Sequence, residues 1–170
     1  ILQQNRILST IKTSSVKKLL SEFKKMADAA DKAKKTLAEA GEGVEPSAEN
    51  KEKIDNWNSF ISQYNRPLKE GLYSDFANRE EISEIIRFKS TAAEGTGENA
   101  WTSFADYVQR MKTDQKAIYF ITGGDEKNLR SSPLLEAYKA KGFEVLIMAD
   151  DIDDIVIPSL NKHKEFDLKA

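Results

Sequence analysis

The sequence has no cysteine and a single histidine, His163. The first absence excludes disulfides and thiolate metal sites. The second leaves any histidine-ligated zinc or histidine-dependent triad resting on one residue near the end of the chain. No apolar run approaches the roughly 20 residues a membrane span needs, and no signal-peptide pattern opens the chain. Charge of one sign is also missing, since 26 basic and 28 acidic residues nearly cancel. That balance argues against a general nucleic-acid footprint, which needs a net basic face to release counterions. There is no opening methionine, and "ILQQNRILSTIK" begins in mid-pattern. The expectation is a piece of a larger protein, of cytoplasmic origin.

What is present suffices for a core. Hydrophobic residues make up 39% of the 170, and 32% are charged, which implies a well-solvated surface. This length allows one domain or two small lobes sharing a core.

The first half reads as helical. Ser14 or Ser15 can cap a helix with Val16, Leu19, Leu20, Phe23 and Ala27 on one face. The Ala-, Lys- and Glu-rich stretch 29–52 reads as a frayed helix end and a solvated linker. Helical spacing returns at Ile54, Trp57, Ile61 and Tyr64, and Pro67 is expected to close that segment. Asn78 is placed as the N-cap of a helix with Glu80 and Glu81 in its first turn and Ile82, Ile85 and Ile86 as its buried stripe. "STAAEGTGEN" reads as a flexible connector. Ser103 with Asp106 forms a variant capping box, opening a helix with Phe104, Tyr107, Val108 and Met111 on one face.

The period then changes. Residues 117–121 and 143–148 are short, β-branched, glycine-bounded runs that read as buried strands. Between them Ser132 caps a helix with Pro133 at its first position, and Gly142 stops it. The result is a βαβ unit with parallel strands and a right-handed crossover.

Two stretches could carry chemistry. Gly123-Gly124 follows a strand and could open an anion site. It matches neither G-x-G-x-x-G nor the phosphate-loop pattern, and Asp125-Glu126 puts negative charge where a phosphate would sit. The structural reading is a turn that needs positive φ. Asp151 and Asp153, just past a strand end, form a D-x-D that could hold Mg²⁺. A magnesium-dependent phosphoryl-transfer or nucleic-acid-processing α/β domain is therefore the alternative function. The competing reading is that these aspartates charge the first turn of a helix. The lysine pairs at 24–25 and 34–35 read as solvated helix faces. Trp57 and Trp101 read as packing residues, because no arginine-aromatic alternation surrounds them.

Several stretches together resemble the middle domain of the heat-shock protein 90 chaperones, especially the bacterial branch. They are "LQQNRIL" (Leu2–Leu8), "LKEGLYSDFANREEISEIIRFKST" (Leu68–Thr91), "SFADYVQRMKTDQKAIYFITG" (Ser103–Gly123) and "SSPLLEAYKAKGFEVLIMADDID" (Ser131–Asp153). The resemblance is weak or absent over 37–56. It implies an α/β fold in which a helical coil segment leads into a small three-layer αβα lobe with a short parallel βαβ sheet. The implied map is 1–36, the end of a larger lobe and a connecting helix; 37–100, the coil with flexible linkers; and 101–170, the small lobe.

By the same resemblance the βαβ unit binds no nucleotide. This segment then has no cofactor and no complete catalytic set, and ATP and Mg²⁺ belong to the full-length parent. Gln3 matches a glutamine of the family's ATPase-supporting loop. Asp154 matches an acid that contacts client protein in bacterial relatives. Ile155 stands at the following aromatic position and Pro158 at an asparagine. The implied function is a non-catalytic part of an ATP-dependent chaperone, a cytoplasmic homodimer. Its implied partners are unfolded clients and the N-terminal ATPase and C-terminal dimerisation domains of the same chain, with no nucleic acid and no membrane. A plain helical interaction module is a third reading.

One expectation is geometric. In a helix after Asp151, the apolar residues 152, 155, 156, 157 and 160 span an arc of about 200°, wider than a core-facing stripe needs. Ile155 is expected at the exposed edge, with Pro158 either inside the helix or restarting it.

Overall fold

The structure, a computed structural model, describes residues 5–41, 43–97 and 99–170. It divides into two compact units, Ile1–Gln63 and Tyr64–Ala170. Gln3 lies outside the described residues.

The first unit contains α1 (Arg6–Ala40) and the beginning of α2 (Ala48–Ser74). The cap of α1 is Asn5, whose Oδ1 accepts from the amides of Ile7 (2.9 Å) and Leu8 (3.4 Å). The helix therefore does not start at Ser14 or Ser15. Two threonines near its start turn their hydroxyls back onto helical carbonyls, Thr10 to Arg6 and Thr13 to Ser9, so they fit inside the helix. The frayed end expected after Ala29 is also absent, because buried Ala27, Ala30 and Ala33 continue the packed stripe begun by Leu20. Of the expected face, Leu20 and Ala27 are buried while Leu19 is exposed. Across the unit the Phe23 and Phe60 rings lie 4.6 Å apart, and Phe60 stacks on the buried Trp57 at 5.6 Å.

Pro67 does not close α2; it sits inside it. A proline there has no N–H for the carbonyl four residues back. Contacts on either side hold the helix together. Asn65 is buried and pairs with the backbone of Arg87 in both directions, its Oδ1 accepting at 2.9 Å and its Nδ2 donating at 2.8 Å. Lys69, one turn on, is buried in an ion-pair cluster.

The second unit is built on a five-stranded mixed sheet of order β1-β3-β2-β5-β4. Its strands are β1 (Lys89–Ser90), β2 (Ala117–Ile121), β3 (Leu146–Ile147), β4 (Lys162–His163) and β5 (Phe166–Lys169). The expected parallel pair is present, with Phe120 opposite Leu146. A second parallel pair joins β2 to β5, and the two edge strands run antiparallel to their neighbours. The fold is α/β with a sheet covered on both faces, but the sheet is mixed rather than purely parallel. The run 143–148 supplies only two strand residues.

Period-2 alternation along β2 assigns its side chains to the two faces. Tyr119 and Ile121 pack with Leu129 of α5 (Glu126–Arg130), Leu135 and Tyr138 of α6 (Leu134–Lys141), and Val145 and Ile147. Ser132 Oγ accepts from the Leu134 amide, and Gly142 ends α6 in the left-handed region, as its position predicts. Ile118 is fully buried. A further ring cluster joins Phe88, Phe104 of α4 (Phe104–Arg110) and His163, with successive centroids 4.9 and 4.8 Å apart. The Ser103–Asp106 box caps α4 as read.

Two of the polar joints in this unit meet at Glu144. The Tyr107 hydroxyl donates to the Glu144 carbonyl (2.7 Å) and accepts from Gln115 Nε2 (2.8 Å) and the Tyr119 amide (2.9 Å). Burial pushes its phenol well above the ordinary tyrosine range. Arg110 forks onto Glu144 through two bonds of 2.9 Å.

The stretch after β1, read as a flexible connector, is organised by Arg130, which donates to the carbonyls of Ser90 (2.8 Å) and Gly95 (3.0 Å). Gly95 is required by close approach, because a Cβ there would lie 2.5 Å from the Ser90 amide nitrogen. Trp101 is half-buried beneath the Lys89 ammonium, 4.1 Å from its ring centroid.

Candidate functional site

Beyond β3 the chain turns through Asp150 into α7 (Asp153–Leu160). Asp153 and Asp154 occupy the first turn, where the macrodipole favours negative charge. The turn is closed by the Asp153 amide donating to the Asp150 carbonyl at 2.8 Å. Asp153 Oδ2 reaches back to the Asp150 amide at 3.2 Å, as the second half of a capping box does.

Asp153 is fully buried, and its counter-charge is Lys69 of α2. The Lys69 Nζ lies 2.9 Å from Asp153 Oδ1 and 2.6 Å from Asp150 Oδ2, and 4.7 Å from the centroid of Phe88. Burial pushes the Asp153 carboxyl above its ordinary range, and the nearby Asp150 charge adds to this; the Lys69 charge pulls it back. A charge this deep is tolerable only when paired and hydrogen-bonded. Leaving either partner alone would be costly.

The other end of α7 is also held by a cation. Arg79 opens α3 (Arg79–Ile85). Its Nε donates to the Leu72 carbonyl at 2.9 Å, and one terminal nitrogen donates to the Ser159 carbonyl at 3.1 Å. The last carbonyls of a helix have no intrahelical partner, so a guanidinium there satisfies one and complements the dipole. Phe76, an exposed aromatic, lies over this guanidinium at 3.9 Å.

Between these anchors, Val156, Ile157 and Leu160 face the core. Asp154, Ile155 and Pro158 are all exposed, and Ile155 keeps 56% of its surface in solvent. They share one face of α7, which continues through Pro158 and ends at Asn161 in the left-handed region. Beside Asp154 and Pro158 is a cleft of about 140 Å³ lined also by Phe120, Thr122, Ile157 and Leu168. The structure thus brings three residues singled out in the sequence onto one solvent-facing surface.

It does not bring Asp151 and Asp153 together as a metal pair. Asp151 is exposed, whereas Asp153 is buried against Lys69: its Oδ2 accepts from Lys69 Nζ and the Asp150 amide, and its Oδ1 lies in ion-pair contact with Lys69 without a hydrogen bond of its own. Among the described residues no group of three or more His, Cys, Asp or Glu converges as metal ligands. At Gly123-Gly124 the chain turns with Gly123 at φ 90°. Asp125 Oδ1 then accepts the Asn128 amide at 2.9 Å, so an acidic side chain caps α5 where an anion would have to sit.

Lys69 and Arg79 are the residues that sequence reasoning missed. A signal for Lys69 was available. Asn65, Lys69 and Leu72 fall at i, i+4 and i+7, and all three are buried. A lysine on the buried stripe of a helix requires acids on whatever packs against it.

The chain is thus a long helical segment followed by a small α/β lobe that exposes a mixed acidic and apolar face on α7. The Hsp90 protein family matches residues 1–170. Relatives named Chaperone protein HtpG are 59% identical in Treponema denticola and 51% identical in Treponema pallidum, in each case over 100% of this chain and 23% of the relative. The middle domain of a Plasmodium falciparum heat shock protein, a solved structure, superposes with a TM-score of 0.70 at 30% identity. The match covers 98% of this chain and 61% of that one. The chain belongs to the Hsp90 protein family and corresponds to part of its middle domain. It spans about a quarter of the length of the curated relatives it matches.

Proposed function

We propose that this chain acts within a longer, ATP-driven chaperone as a segment that contacts client protein and neighbouring domains, and that it has no nucleotide site of its own. The observation that carries the reading is the exposed face of α7, where Ile155 stands in solvent beside Asp154 and Pro158. An exposed aliphatic next to a carboxylate suits extended segments of unfolded protein that mix apolar and basic side chains. In this reading ATP and Mg²⁺ are bound by an N-terminal domain, and Gln3 supports hydrolysis there. A C-terminal domain makes the homodimer. The setting is the cytoplasm, with neither nucleic acid nor membrane as a partner; among the described residues no helix is long and apolar enough to cross a membrane.

The test is Ile155→Asp in the full-length parent. Client affinity should fall several-fold while the melting temperature of the 170-residue chain stays within a few degrees. Unfolding of the lobe instead would make Ile155 a core residue and remove the site. Calorimetry of the 170-residue chain with ATP and Mg²⁺ should give no saturable heat, and micromolar binding would contradict the absence of a nucleotide site.

A further inference from the structure

We infer that Lys69 and Arg79 are positioning residues for the exposed face of α7. The two cations, on α2 and at the start of α3, grip α7 at opposite ends and so set how Asp154, Ile155 and Pro158 are presented.

The geometry is complementary. Lys69 acts on the first turn through side chains, with contacts of 2.6 Å to Asp150 and 2.9 Å to Asp153. Arg79 acts on the last turn through backbone, at 3.1 Å from the Ser159 carbonyl. Both anchors are themselves fixed. Lys69 is buried, with Phe88 under its ammonium, and Arg79 is tied by its Nε to Leu72. An eight-residue helix with a proline in its second half needs such help. Its own ladder is short, and Pro158 withholds one amide from it. Neither cation touches the exposed face, so each can act on a bound segment only through the pose of α7.

The consequence for client binding rests on the function proposed above, and the experiment separates the two. Amide hydrogen exchange on the 170-residue chain reads the pose directly. In Lys69→Met and in Arg79→Met, exchange at the amides of Val156 and Asn161 should speed up at least tenfold more than exchange at those of β2, which report the loss of global stability. Lys69→Arg should restore most of the protection. If α7 and β2 loosen in step, or if α7 does not change, the inference is overturned. Should Lys69→Met fail to fold, Lys69→Met combined with Asp153→Asn removes the anchor without stranding a buried carboxylate, and the same criterion applies. In the full-length parent, Lys69→Met should weaken client binding about as much as Ile155→Asp does. If Ile155→Asp weakens binding and a Lys69 variant with a loosened α7 does not, the link from anchor to client fails. If Ile155→Asp has no effect, the client reading fails, and the exchange data alone decide the anchor.

Discussion

The two units of the molecule differ in how far their ion pairs reach along the chain. In the first, Lys24 pairs with Asp28, Lys25 with Glu22 and Lys53 with Glu49, each three or four residues away on the same helix and each at least partly exposed. The second unit has such local pairs too, and adds joints that span the chain. Lys69 reaches residues 81 and 84 positions away, and Arg110 reaches Glu144, 34 away. A local surface pair stabilises a helix that the sequence already favours and contributes little. A distant buried pair adds little net stability over an apolar isostere, but removing one partner strands the other. The local surface pairs of the first unit therefore tolerate charge changes, while the distant pairs of the second specify which elements meet.

That contrast can be broken at several points. The largest effect should come from Lys69→Ala, which leaves Asp153 buried without its counter-ion and should cost about 3–5 kcal/mol in urea unfolding. A loss below about 1 kcal/mol would mean that solvent reaches the cluster. Tyr107→Phe removes the hydroxyl shared by Glu144, Gln115 and Tyr119 and should cost about 1–3 kcal/mol.

His163 should make the second unit sensitive to acid. Burial depresses its imidazole below the ordinary 6.5, and the neighbouring Lys164 charge lowers it further, while Glu84 opposes both. A histidine held neutral contributes its stability in full above the unfolded value. That contribution is lost as pH falls from about 6.5 toward the folded one. The melting temperature should therefore drop between pH 7 and pH 5.5, and His163→Phe should flatten the drop; an unchanged slope would assign it to other groups. The smallest effect should be Lys24→Gln, which should move the melting temperature by about 1 °C or less. A larger shift would show that the surface pairs of the first unit do more than support their own helix.

The same division explains what could be read in the sequence. Features decided within one turn were legible: β2, the Ser103 cap, the Gly142 stop and the buried stripe of Ile82, Ile85 and Ile86. Pro67 was misread because its local cost is offset by Asn65 and Lys69, whose partners lie far along the chain. Asn78 precedes α3 as expected, yet its side chain bonds to Asp75 rather than capping the helix. Strands β1 and β4 have two residues each, too few for an alternation to register. At the candidate site, residues 154, 155 and 158 were singled out by resemblance to family positions, and helix geometry added only the expectation that Ile155 lies at the exposed edge, where it is found. Their anchors were not, because a lysine shows its function only when its acids are in view.

The Tyr107 junction has a consequence for how the sheet assembles. Its hydroxyl can meet the Tyr119 amide and the Glu144 carbonyl together only when β2 and the approach to β3 stand in one alignment. Sliding β2 by a single residue would turn Tyr119 to the opposite face and carry its amide about 3.3 Å away. An amide and a carbonyl would then be left inside the lobe with no partner, at about 1–3 kcal/mol each. A strand two residues long, as β3 is, offers almost no ladder of its own to reject such a slip. One phenol works as a proofreading device, making the misaligned sheet too costly to persist.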